Sequence, residues 1–405
     1  MRVLIINDLY ECGGAEIMAR LQKKILLEKG HDVLLLTLDP MEKEHASKEN
    51  AHVSVGRKYN FIQSLLYRYI RDNRVFTKIK NIINDFKPDI IHLHNVYLSS
   101  KAVYLAVRNI PCVQTVHDYS ITCIKSTSIY PDGKLCNGYC HNNCIQECFS
   151  GSLKERISFL GRMLAMRINN KLRYECVDTF ISPSTFLKDI CIENGFNTVT
   201  ISNPAEFDDE CLINDEAKQD FRIKRFLYFG AVNRVKGLKP LIEAFKVFAA
   251  NKSDVELLIA GPVKSDFEDE FITLTEGNKK IKYIGKIPHD EIKALLRKVY
   301  VVVIPSLWIE NYPGTLLEAV ACKCLVIATN RGGMPEMLGN KELLFDVLSQ
   351  NSIIDKLNYV SDLDMNAYKK ITDELYKKYV IDYSLKKYGH QLLEEYKKIL
   401  EKTRG

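Results

Sequence analysis

Val301-Val302-Val303-Ile304-Pro305-Ser306-Leu307-Trp308-Ile309-Glu310-Asn311-Tyr312-Pro313-Gly314-Thr315-Leu316-Leu317-Glu318-Ala319 runs from a β-branched stretch through a polar turn into an apolar, helix-compatible segment. Four consecutive apolar residues closed by Pro305 read as a strand buried on both faces, and Pro313 suits the start of a helix. A strand buried on both faces belongs to a parallel sheet covered by helices.

The same alternation extends in both directions. Leu325 to Ala328 repeats the buried strand downstream, and Phe226 to Phe229, Val255 to Ala260 and Tyr283-Ile284 precede it. In the first half, Val3 to Ile6, Val33 to Leu38, Ile90 to His94, Cys112 to Val116 and Thr179 to Ser182 have strand character, with a helix from Ala15 to Lys29 ending at Gly30. Strands alternating with helices predict an α/β protein of two doubly wound domains. A chain of 405 residues fits that number, at roughly 100–200 residues per domain. The polar stretch from Asn203-Pro204 to Asp220 lacks apolar periodicity and marks the boundary between domains 1–203 and 204–383. Charged helical sequence from Tyr383 to Lys402 closes the chain.

The composition, 46% hydrophobic and 27% charged without low-complexity tracts, is that of a globular protein. No apolar run is long enough for a signal-peptide core or a bilayer span, which predicts a cytoplasmic protein. A net charge of +6 is modest for this length and gives no reason to expect nucleic acid as a partner. Its distribution is uneven. Between Arg57 and Lys80 stand seven basic residues and one acidic one; between Lys154 and Tyr174, six basic residues and Glu155 accompany Ile157, Leu160, Leu164, Ile168 and Leu172 at helical spacing. These segments read either as ordinary solvated helices or as docking elements for an anionic membrane surface, which needs both the apolar stripe and the cations.

Ligands of open parallel sheets sit beyond the carboxyl ends of the strands. After the first strand, Gly13 and Gly14 open a helix whose N-terminus favours negative charge, although the spacing is not the G-x-G-x-x-G of nicotinamide enzymes. In the second half, the amides of Gly314, Thr315 and Leu316 stand at a helix start, available to a phosphate. Glu310 and Glu318 lie eight residues apart, and a carboxylate about one turn into that helix can accept hydrogen bonds from vicinal ribose hydroxyls.

At these residues the sequence resembles the glycosyltransferase family 4 enzymes, marked by a Glu-x7-Glu pair after a strand and a Pro-Ser. The resemblance continues through Gly13-Gly14-Ala15-Glu16, His117-Asp118, Ser182-Pro183-Ser184, the Gly230 to Gly237 loop with Lys236, Gly261-Pro262, Gly285 and Gly332-Gly333-Met334-Pro335-Glu336. It implies a GT-B fold of two Rossmann-like domains facing a cleft, with a C-terminal helix, 384–405, returning to the N-terminal domain. It implies a retaining enzyme in which the second domain binds a nucleotide-diphosphate sugar, UDP favoured over GDP, with no metal or other cofactor required. Carried over by residue, Glu310, His117 and Lys236 would be catalytic. Glu318 would hold the ribose, and the Gly285-Lys286-Ile287 turn the nucleobase. The acceptor implied is a polyprenyl-diphosphate-linked saccharide in surface polysaccharide assembly.

Two positions depart from the pattern. Ala231 stands where the family has Arg, so Arg234 is the candidate replacement cation, and Pro313 stands where the family commonly has Gly. A nucleotide-sugar epimerase of the same fold is disfavoured by the Glu310 to Glu318 spacing, whereas Ala231 is the one feature favouring an inactive scaffold. Among twelve cysteines, Cys112, Cys176, Cys191 and Cys322 read as core residues. Cys136, Cys140, Cys144 and Cys148, with His141 between them, have spacing compatible with structural zinc as well as with free thiols packing an inserted loop.

Overall fold

A computed structural model describes residues 1–10, 13–38, 50–52, 70–97, 99–130, 134, 136, 144–149, 152–204 and 221–404. Cys140, His141, most of the first basic segment and the polar stretch 205–220 lie outside these residues. The chain divides into two compact units, Met1–Asn203 with Leu385–Gly405, and Pro204–Ser384.

Unit 1 contains β1 (Arg2–Asn7), α1 (Gly14–Glu28), β2 (Asp32–Thr37), β3 (Asn50–His52), α2 (Asn73–Phe86), β4 (Ile90–Leu93), α3 (Ser100–Val107), β5 (Cys112–Thr115), α4 (Cys144–Cys148), α5 (Leu153–Cys176), β6 (Thr179–Ser182), α6 (Thr185–Glu193) and β7 (Thr198–Thr200). Its sheet has the order β3-β2-β1-β4-β5-β6-β7, parallel at each pairing. β4, β5 and β6 are buried along their whole length, polar residues such as His92, Gln114 and Ser182 included.

In unit 2 follow β8 (Lys224–Phe229), α7 (Leu238–Ala249), β9 (Val255–Ala260), α8 (Glu268–Thr275), β10 (Ile281–Tyr283), α9 (His289–Leu296), β11 (Val301–Ile304), α10 (Gly314–Ala321), β12 (Leu325–Thr329), α11 (Met334–Leu338), β13 (Leu344–Phe345), α12 (Gln350–Ser361) and α13 (Met365–Asp382). The order is β10-β9-β8-β11-β12-β13, again parallel. β3, β7 and β13 were not expected, because edge strands of two or three residues leave almost no periodic trace.

The closing helix α14 (Leu385–Arg404) belongs to unit 1. Tyr388, Leu392, Tyr396 and Ile399 pack with Met18 and Ile25 of α1 in one apolar cluster.

Both sheets reverse their strand order once, between β1 and β4 in unit 1 and between β8 and β11 in unit 2. The loops beyond these strands diverge to opposite faces of the sheet, opening a crevice at their carboxyl ends. The Gly230 to Gly237 loop and the Pro305 to Pro313 loop follow the two strands at the reversal of unit 2, so two motifs far apart in sequence become neighbours.

Candidate active site

The unit 2 site is built on contact between these two loops. After β8 the chain makes a 3-10 turn, Arg234–Lys236, capped by Asn233, whose side chain accepts from the Lys236 amide. The Val235 carbonyl accepts from the amides of Leu307 and Trp308, each at 3.0 Å, tying one loop to the other. Lys236 Nζ donates to Glu310 Oε1 and lies 5.2 Å from the Trp308 ring centroid. Ser306 Oγ donates to the same carboxylate oxygen at 2.8 Å. Glu310 is therefore a buried carboxylate held from both sides, and the Lys236 cation is aimed across it. The Glu310 carbonyl in turn accepts from the Gly333 amide at 2.9 Å, bringing the Gly332-Gly333 loop into the same site.

α10 starts beside this cluster, with Pro313 as its N-cap and Glu318 partly exposed on its first turns. Its three expected phosphate donors are not equivalent. The Leu316 amide donates to the Pro313 carbonyl at 3.1 Å, which leaves Gly314 and Thr315 as the outward amides of the first turn. Arg234, the candidate replacement cation, already has an acidic partner. Its guanidinium pairs with Glu270 and stacks near Phe267, and Lys239 joins the same carboxylate at 3.3 Å. Glu270 stands in the acidic first turn of α8, Glu268-Asp269-Glu270. Gly285 stands at the end of β10 with φ +76°, its carbonyl accepting from the Gly261 amide at 2.8 Å; Ile287 packs partly buried on the core.

In unit 1, Gly13 is the N-cap of α1, and Gly13 and Gly14 are exposed at the crevice beyond β1. His117 follows β5 and is the end of a buried chain that spacing did not reveal. His117 Nε2 lies 2.8 Å from His94 Nδ1, His94 Nε2 lies 2.9 Å from Gln22 Oε1, and Gln22 Nε2 donates to Tyr396 Oη at 2.8 Å. The Gln22 amide nitrogen is committed as a donor to Tyr396, so its oxygen accepts from His94 Nε2–H. Burial lowers the pKa of His94 well below the usual imidazole value, so His94 is neutral and its Nδ1 accepts. His117 must then carry its proton on Nε2 and present Nδ1 as an acceptor. Burial also drives His92 down to about 3 and His117 to about 4, Asp118 opposing the latter shift. His92 stacks on His94 with centroids 4.8 Å apart, and its Nε2 lies 2.7 Å from Thr115 Oγ1. His92 on β4 and His94 directly after its end are two residues apart, a period-two pattern that is the one trace of this chain in the sequence.

Cys112, Cys176, Cys191 and Cys322 are buried as expected. Cys144 and Cys148 pack with Phe159 and Met163, and among the described residues no group of three or more His, Cys, Asp or Glu is placed to hold a metal. Cys140 and His141 lie outside those residues.

The sequence matches glycosyltransferase family 4 over residues 12–208 and glycosyl transferases group 1 over residues 214–378. The chain belongs to the group 1, family 4 glycosyltransferases. An uncharacterised 42.6 kDa protein in the cps region of Klebsiella pneumoniae is 23% identical to this glycosyltransferase, over 91% of this chain and 100% of its own. Sucrose-phosphate synthase from Thermosynechococcus elongatus superposes with TM-score 0.73 at 16% identity, covering 99% of both chains. Anabaena HepE in complex with UDP-glucose gives TM-score 0.68 at 16% identity, over 98% of this chain and 99% of that one. This glycosyltransferase therefore has the GT-B fold, and its two doubly wound units are the two GT-B domains.

Proposed function

We propose that this glycosyltransferase moves a hexose or N-acetylhexosamine, with retention, from a nucleotide-diphosphate sugar to a lipid-linked or oligosaccharide acceptor in surface polysaccharide assembly. The observation that carries the donor half is the Lys236, Glu310 and Ser306 cluster at the strand reversal of unit 2, next to the start of α10. On this reading Lys236 and the Gly314 and Thr315 amides meet the diphosphate, Glu318 accepts from the ribose, and Glu310 faces the sugar. The bond from the anomeric carbon to the diphosphate oxygen breaks as the acceptor oxygen attacks the same face. The departing diphosphate takes the acceptor's proton. Stabilising the charge that develops on the leaving group is the main catalytic task, and a fixed cation with helix-start amides suits it. UDP is the favoured nucleotide, supported by the UDP-glucose in the Anabaena structure, and the cps setting of the Klebsiella relative supports the polysaccharide context.

The membrane half rests on α5. Leu153, Ile157, Leu160 and Leu164 lie on one face and are 75%, 61%, 42% and 53% exposed. Arg156, Arg167 and Lys171 are exposed around that face, and Glu155 is engaged in the capping box with Ser152. Among the described residues no helix is long and apolar enough to cross a membrane. An apolar stripe edged by cations fits an anionic lipid surface, at about 1 kcal/mol for each basic residue near it.

One experiment tests both halves: a panel of UDP- and GDP-sugars incubated with and without vesicles containing anionic lipid. Slow release of nucleoside diphosphate, with protein sedimenting on the vesicles and released by salt, is expected. Isomerised sugar without release would make the protein an epimerase, absence of any turnover a scaffold, and sedimentation indifferent to lipid charge would remove the membrane reading.

A further inference from the structure

The buried chain behind His117 takes no part in donor binding, yet each of its links is specified. Gln22 on α1 and Tyr396 on α14 are wholly buried, and so, within 1%, is His94; His117 alone of these is partly exposed. Gln22 stands at the centre. Its amide nitrogen lies 2.8 Å from Tyr396 Oη and 2.9 Å from His92 Nδ1, while its oxygen lies 2.9 Å from His94 Nε2 and accepts from Tyr388 Oη at 3.3 Å. A primary amide has one donor end and one acceptor end, and both ends of this one are engaged. The acceptor end is the one that meets His94.

A neutral imidazole carries one N–H and one lone pair, so fixing the role of one ring nitrogen fixes the other. Burial keeps His92, His94 and His117 neutral, which closes the alternative of a doubly protonated ring. His94 gives its Nε2–H to Gln22 and turns the lone pair of Nδ1 toward His117, whose Nε2 is 2.8 Å away. Two lone pairs do not approach so closely, and the hydrogen between them belongs to His117. The orientation of one amide on α1 is thereby transmitted through two rings to the loop after β5.

We propose that Gln22 is a positioning residue: through His94 it holds His117 in the Nε2–H tautomer, so that Nδ1 meets a bound saccharide as an acceptor and not as a donor. This rests on the glycosyltransferase reading above, with His117 facing a sugar hydroxyl. Gln22→Met removes the amide at nearly constant length. Tyr396 Oη and His92 Nδ1 keep each other at 2.7 Å, but the His94 Nε2–H is left buried without an acceptor. Its hydrogen then moves to Nδ1, where His117 Nε2 accepts it, and the His117 hydrogen moves from Nε2 to Nδ1. Each ring keeps one hydrogen, and the acceptor that His117 offered becomes a donor. Tyr388→Phe is the matched comparison, because it takes a buried hydroxyl from the same amide oxygen while leaving His94 its acceptor.

Long-range proton–nitrogen NMR spectra of protein carrying isotope-labelled histidine show which ring nitrogen of His117 bears hydrogen, with its signals assigned by their loss in His117→Asn. Nucleoside-diphosphate release from nucleotide sugars is measured on the same proteins. Wild type and Tyr388→Phe are expected to show Nε2–H. Gln22→Met is expected to show Nδ1–H, with kcat lowered about tenfold at unchanged KM, the loss of one hydrogen bond made in the transition state. A purely structural role would lower the urea midpoints of both variants without inverting the tautomer. The wild-type spectrum decides even where Gln22→Met fails to fold: Nδ1–H there overturns the proposal. An unchanged tautomer in Gln22→Met, or an inverted one with unchanged kcat, overturns it as well. The expected tautomers with no nucleoside-diphosphate release by the wild type keep the hold of Gln22 on His117 and remove the transferase reading.

Discussion

Lys236→Ala is expected to lower glycosyl transfer by about 10²–10³-fold, the loss of roughly 3–4 kcal/mol that follows when one preorganised charge donor is removed from a leaving group. The cation is fixed by Glu310, by its place over Trp308 and by the turn capped by Asn233, so it needs little reorganisation during the reaction. Glu310→Ala should be comparably inactive, because it removes the carboxylate proposed to face the sugar and also releases Lys236. Neither loss should reflect unfolding. Without Lys236, Glu310 keeps Ser306 as a donor, and one lost hydrogen bond to a charged group costs about 1.5–3 kcal/mol. Steady-state transfer rates beside urea unfolding midpoints separate the two effects. Full activity in both variants would remove this cluster from the mechanism.

The largest effect on folding should come from Gly237→Ala. Gly237 has φ +71° and ends the turn that carries Lys236, and a Cβ there would lie 1.7 Å from the Pro305 carbonyl oxygen. The left-handed conformation alone costs a side chain about 1–2 kcal/mol. Contact at that distance with backbone cannot be relieved by a rotamer, so the Lys236 loop and the Pro305-Ser306 turn must separate, at a total of about 3 kcal/mol or more. Gly277→Ala is the matched comparison: φ is +72° with nothing within 4 Å of the added carbon, so only the conformational cost applies. Urea unfolding should show Gly237→Ala clearly less stable than Gly277→Ala and also deficient in transfer. Equal stability of the two would contradict the close packing of these loops.

How legible the site was follows from the kind of information each part needs. Continuous apolar runs such as Val301 to Ile304 are written in period and length, so both sheets were readable apart from their shortest edge strands. The Glu310 and Glu318 spacing after Pro305-Ser306 was readable because it lies on one strand-loop-helix unit. Partners of long side chains were not. Arg234 turned to Glu270, 36 residues on, because the charge of the α8 first turn becomes local to it only after folding. The His117, His94, Gln22 and Tyr396 chain joins two helices and the loops after β4 and β5, and only the alternation of His92 and His94 hinted at it. Helical spacing in α5 was plain, but the helix has apolar residues on two sides, and spacing did not say that Phe159 and Met163 would meet the protein while Leu153, Ile157, Leu160 and Leu164 stay exposed.

Calorimetric titration of UDP and of GDP into the wild-type protein and into Glu318→Ala tests the donor assignment most directly. One nucleotide, UDP foremost, should bind the wild type in a saturable manner. Glu318→Ala should weaken it about tenfold or more, the equivalent of roughly 1.4 kcal/mol for charge-assisted hydrogen bonds to the ribose. No saturable heat from either nucleotide, or the same affinity in both proteins, would contradict the placement of the donor at the start of α10.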